Sequence, residues 1–166
     1  MGLNAKSYWY VLKMMKLHKL TFDGLRICEL GCTELRNPLR RKSRTRVART
    51  HFARLGATSV SIDINGKFGS LPLDLGEPLD IESLGGQFDL VLNAGTAEHV
   101  KNQETLFSNV YNLCRPGGIV VHIGPKEGVP HGLYQYSPSF FAKDKRWRLS
   151  DTREAKNTLY CTLQKL

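Results

Sequence analysis

Three acidic residues close apolar, strand-like runs: Glu29 in Glu29-Leu30-Gly31, Asp63 behind the stretch from Ser59, and Asp74 in Pro72-Leu73-Asp74-Leu75. A carboxylate at a strand end can accept both hydroxyls of a ribose, and Asp63 suits that role. Asp74 suits the exocyclic amine of an adenine, and Glu29 an ammonium group. Gly31 would let a ligand approach the backbone closely, and a helix starting behind it would offer free N–H groups to a carboxylate or phosphate. The small residues Asn93-Ala94-Gly95-Thr96 leave space beyond a third run. His99 and His131 are candidate bases for a weak nucleophile, and Tyr134 and Tyr136, in the loop His131–Tyr136, are candidates for gripping a substrate. Each has a plainer explanation beside it. The acids could cap turns, the histidines could be structural hydrogen-bonding groups, and the tyrosines could cover a sheet edge. His122, inside an apolar run, reads as a core residue.

The elements that would position these residues follow from periodicity. Asn4–Leu17 repeats apolar residues at three- and four-residue steps, the signature of a helix. Leu25–Leu30 is a short apolar run stopped by glycine, a buried strand. Thr33–Leu55 is polar and basic, with Val47, Ala48, Phe52 and Leu55 on one helical face; Pro38 limits where that helix can begin. Ser59–Ile64 is a β-branched strand followed by an Asn65-Gly66 turn. Leu71–Leu75 is extended, and Asp80–Leu84 a short helix or turn. Phe88–Asn93, Gln103–Cys114 and Ile119–Ile123 form strand, helix and strand, with Arg115-Pro116-Gly117-Gly118 as the turn. Ser137–Ala142 is a short helix with Pro138 at its first position. Arg146–Thr152 and Thr158–Lys165 form a terminal hairpin. Alternating strands and helices followed by a hairpin predict an α/β fold: a Rossmann-like, doubly wound, mostly parallel seven-stranded sheet with a C-terminal antiparallel hairpin and helices on both faces. Ligands of such sheets bind beyond the carboxyl ends of the strands, where the strand order reverses.

The 166 residues form one expected domain, with residues 1–20 as a helix covering the pocket or a sheet edge. At 41% hydrophobic residues the chain is not of disordered composition. No apolar run approaches a membrane span, because Lys13, Lys16 and Lys19 interrupt the longest one, and that segment lacks a signal-cleavage pattern. Cys28, Cys32, Cys114 and Cys161 lack zinc-site spacing, so no metal is expected and the thiols read as reduced, in the cytoplasm. The net charge of +9 favours anionic partners. Arg36, Arg40, Arg41 and Arg44 begin a run of cations without an acid between Glu34 and Asp63, ordinarily a solvated surface and alternatively a weak nucleic-acid grip. A monomer or a homodimer is expected.

Taken in order, the strand-end acids, the Phe88-Asp89-Leu90-Val91 strand, Glu98-His99-Val100 and Pro116-Gly117-Gly118 resemble class I S-adenosylmethionine-dependent methyltransferases, from Leu25 to Leu166. The resemblance implies S-adenosylmethionine as cofactor. Glu29, Gly31 and Cys32 would lie along its methionine part, Asp63 would hold the ribose, and Ile64 would lie against the adenine. Asp74 and Leu75 would face the adenine edge. Asn93, Ala94 and Gly95 would line the sulfonium region, with His99 near the point of transfer. Thr33 and Leu35 stand where the family has further glycines, and their side chains are expected to crowd the methionine tail. The implied activity is methyl transfer to an unidentified acceptor, expected to be a small molecule. The alternative is an inactive relative that keeps the fold and uses its basic surface to bind nucleic acid or a protein.

Overall fold

The computed structural model describes residues 2–166. β1 (Gly2–Leu3) pairs in parallel with β3 (Glu34–Leu35) in a small two-stranded sheet. Between them lie α1 (Ala5–Leu17) and β2 (Arg26–Leu30). The Asn4 side chain caps α1 by accepting from the Ser7 N–H at 2.9 Å. Next come α2 (Leu39–Ser43), α3 (Ala48–Arg54), β4 (Thr58–Ile62) and β5 (Phe88–Ala94). α4 (Gln103–Leu113) runs directly into β6 (Cys114–Pro125), followed by α5 (Pro138–Ala142), β7 (Trp147–Ala155) and β8 (Thr158–Lys165).

The main sheet has the order β4-β2-β5-β6-β8-β7. The first four strands are parallel, and the hairpin adds two antiparallel strands. Among the described residues the sheet therefore has six strands, not the expected seven. Leu71–Leu75 is extended but meets β4 only at an isolated bridge, Ile62 to Leu71. Pro72, which has no N–H, ends the pairing there.

Strand alternation sorts the core onto two faces. Ile27, Leu90, Leu92, Ile119 and Val121 face α1 and α3, packing with Met14 and Phe52. Cys28, Leu30, Val91 and Val120 face α4 and α5, packing with Leu106, Val110 and Phe141. The N-terminal helix thus lies on a sheet face rather than over the cleft described below. Its buried Tyr10 hydroxyl reaches Thr162 Oγ1 of β8 at 3.0 Å.

The basic stretch departs most from expectation. Thr33–Leu55 is not one helix: β3, α2 and α3 divide it. The N–H of Leu35 bonds to Arg46 O at 2.7 Å and that of Ala48 to Thr33 O at 3.0 Å, so this backbone is satisfied by folding back on itself. No helix begins directly behind Gly31, and the expected row of free N–H groups is not there. The strand–helix–strand unit from Phe88 to Ile123 matches its expectation. Asn102 caps α4 by accepting from the Thr105 N–H at 3.1 Å.

Candidate functional site

β2 has β4 on one side and β5 on the other, so the strand order reverses beside it. A cleft of about 630 Å³ opens beyond the carboxyl ends of these three strands. Gly31 and Cys32 line it from β2, Asp63 and Ile64 from β4, and Gly95 and Thr96 from β5. Asp74 and Leu75 close one side, and His99 stands at the β5 end.

Asp63 is held firmly. Its carboxylate accepts from the Cys32 N–H at 2.9 Å, the Asn65 N–H at 2.9 Å and the Asn65 amide at 3.2 Å. Partial burial pushes its carboxyl up, but those bonds and nearby Lys67 outweigh it and leave the pKa below the ordinary value. The group is an anion at neutral pH, fixed between the β2 and β4 loops, and a carboxylate has about four acceptor sites. Asp74 Oδ1 accepts from the Gly76 N–H at 2.7 Å, which tightens the turn beneath Leu75. Ile64 is 64% exposed, a large apolar side chain open to a flat ligand.

Several predicted site residues lie elsewhere. Glu29 is fully buried and does not line the cleft. It accepts from the Ser59 hydroxyl at 2.9 Å, and burial lifts its carboxyl to about 7 against the pull of that bond and of Arg49. Asn93 is buried and structural. Its oxygen accepts from the N–H groups of Thr96 and Ala97 at 3.1 and 3.0 Å, and its amide meets His122 Nδ1 at 3.0 Å. Ala94 faces a separate hollow of about 320 Å³, bordered by Asn4, Ser7 and Arg36. Tyr136 is a core residue: its hydroxyl donates to Gln103 Oε1 at 2.7 Å and its ring packs on His122 and Phe141. Tyr134 donates its hydroxyl to the Lys101 carbonyl at 2.9 Å, fastening its loop instead of facing the cleft. Burial drives the His122 imidazole down to about 3, in keeping with a core role.

Thr33 and Leu35 do not crowd the cleft. Both are buried, Leu35 in the core beneath α1. The residue that narrows the cleft beside Gly31 is Thr96, one of the small residues expected to leave space there. A Cβ added to Gly31 would collide with its side chain, and Gly31 has φ +78°. His131 lies behind His99, their rings edge to face at 5.3 Å, and its Nε2 is 3.9 Å from Glu98 Oε1.

This sheet order, with its cleft at the reversal and its terminal hairpin, is the class I methyltransferase fold. Residues 45–122, from α3 through the cleft acids to β6, match the methyltransferase domain family. Solved structures agree over nearly the whole chain. A Mesorhizobium loti S-adenosylmethionine-dependent methyltransferase aligns with a TM-score of 0.64 at 14% identity, over 94% of this chain and 98% of that one. The Synechocystis PCC 6803 magnesium protoporphyrin IX methyltransferase, solved with bound S-adenosylhomocysteine, aligns at 0.63 and 14% identity, over 97% and 83%. The Burkholderia thailandensis 1,6-didemethyltoxoflavin-N1-methyltransferase, solved with 1,6-didemethyltoxoflavin and S-adenosylhomocysteine, aligns at 0.61 and 14% identity, over 92% and 75%. No curated protein matches the chain in sequence. The resemblance to class I methyltransferases is thus borne out in the fold.

Proposed function

We propose that the protein is an S-adenosylmethionine-dependent methyltransferase whose cofactor lies along the cleft at the β2/β5 reversal. The observation that carries this is the placing of Asp63: an anion fixed by the Cys32 and Asn65 N–H groups, between Gly31 and the apolar Ile64. A ribose bound by its hydroxyls to Asp63 puts the adenine over Ile64 and Leu75, with its amine towards Asp74. The methionine tail then runs past Gly31, Cys32 and Gly95, and the sulfonium lies towards Thr96 and His99. Thr96 and His99 take the place that Asn93 and Ala94 held in the sequence reading. Relatives solved with S-adenosylhomocysteine support the cofactor. The protein's own contribution to methyl transfer is to hold donor and acceptor in line and to exclude water.

Titration calorimetry with S-adenosylhomocysteine tests this reading. We expect micromolar binding that Asp63→Ala weakens by at least about 2 kcal/mol, the scale of a charge-assisted hydrogen-bond pair. Equal binding by the variant, or none by folded wild type, would overturn it. The cytoplasm as its compartment rests on four free cysteines, Cys28, Cys32, Cys114 and Cys161. No helix among the described residues is long and apolar enough to cross a membrane.

A further inference from the structure

Glu98 follows β5 in the turn Ala97–His99, and its side chain is completely buried. Neither carboxylate oxygen has a hydrogen-bond partner. A buried carboxylate without partners is costly enough that it ordinarily acquires a proton, a cation or a donor. Two exposed histidines stand over it. His131 Nε2 is 3.9 Å from Oε1, the His99 ring meets the His131 ring at 5.3 Å, and ligand atoms of all three residues lie within 4.8 Å of one another.

We propose that Glu98, His99 and His131 bind a first-row divalent cation at the edge of the cleft. Two imidazoles and a carboxylate are a donor set for zinc, iron(II), cobalt(II) or manganese(II), and three protein ligands leave further positions open. The 3.9 Å separation is too long for a hydrogen bond and close to twice a metal–ligand bond of about 2.1 Å. A small shift of two exposed side chains completes the approach.

The backbone is arranged to bring His131 there, although it lies 33 residues beyond Glu98 in the chain. The Glu98 carbonyl accepts from the N–H groups of Leu133 and Tyr134 at 2.7 and 3.2 Å. Gly132 has φ +72°, and a Cβ there would come within 2.8 Å of both Glu98 Cγ and Glu98 O. Only glycine lets the loop lie flat on Glu98 and hold His131 above the carboxylate. Tyr134 pins the far side of the same loop to Lys101.

His99 is shared between this cluster and the cleft wall, so the open positions of the cation face the cleft. There it would hold a hydroxyl or anionic oxygen of the methyl acceptor. That last step rests on the proposed methyltransferase reading; metal binding itself does not.

The test uses tag-free protein, titrated with zinc by calorimetry and with cobalt(II) by visible absorption. We expect one equivalent bound in the micromolar range or tighter. His99→Ala and His131→Ala should each weaken it at least tenfold, while His51→Ala leaves it unchanged. Both cluster histidines are exposed, and a thermal melt confirms that each variant folds. Absence of saturable binding by zinc, cobalt(II) and manganese(II), or binding that survives the His99→Ala, His131→Ala double variant, would overturn the site. Titration with S-adenosylhomocysteine separates the two ideas. Metal binding without cofactor binding keeps the site and removes the methyltransferase reading, and the reverse result does the opposite.

Discussion

Asp63 and Glu29 show how far two carboxylates at neighbouring strand ends can diverge. Both were read as ligands because both close strands. Asp63 faces the cleft, is held by N–H donors and stays ionised. Glu29 is sealed from the cleft beside the Ser59 hydroxyl, and burial raises its carboxyl to about 7 from an ordinary 4.5. The stability that Glu29 allows is therefore fully present below pH 4.5 and is lost as pH rises through about 7. His122 works in the opposite sense: its pKa is depressed from 6.5 to about 3, so its contribution is lost as pH falls below 6.5. Glu29→Gln isolates the first effect. The variant should gain on wild type from pH 5 to pH 8, reaching on the order of 3 kcal/mol by denaturant unfolding. A difference that stays flat with pH would mean that Glu29 is already charged in the folded protein. Strand alternation could have warned of its burial, since Glu29 shares the parity of the core residue Ile27.

At the level of elements, the turn behind β5 governs the shape of the cleft. Asn93 ties down the Thr96 and Ala97 N–H groups, and that turn presses Thr96 against Gly31. Gly31→Ala meets both a positive φ and this collision. It should cost roughly 2–4 kcal/mol of stability, by analogy with overpacking plus left-handed strain. Adding Thr96→Ala removes the collision but not the strain, so the pair should be non-additive, the double variant recovering on the order of 1 kcal/mol. Strict additivity in chemical denaturation would show that the two side chains do not meet. The strand, helix and strand from Phe88 to Ile123 are legible because hydrophobic period and the glycine turn agree there. Thr33–Leu55 was not, because its pairing partners are remote: β3 finds β1, thirty-two residues earlier, and no local pattern marks that contact. The closeness of Glu98 and His131 is invisible in the sequence for the same reason.

For the whole molecule, the charge of +9 is unevenly placed. Arg40, Arg41, Arg44 and Arg46 line an open hollow of about 410 Å³, with Arg36 close by, and Arg46 is paired to Glu34 at 2.8 Å. We propose that this surface gives weak, sequence-independent affinity for nucleic acid. An electrophoretic shift should be present at low salt, absent at high salt, and reduced by Arg40→Glu with Arg41→Glu. A shift indifferent to salt, or none at low salt, would dismiss it. The seating of α1 has a different consequence, one of timing. Tyr10 leans on Thr162, 152 residues further along the chain. At a synthesis rate of about 5–20 residues per second, the helix exists for roughly ten to thirty seconds before its bed is made. Throughout that interval Tyr10 lacks the Thr162 hydroxyl that its own hydroxyl meets in the finished fold. The seat of α1 is therefore completed only once β8 has been made and paired.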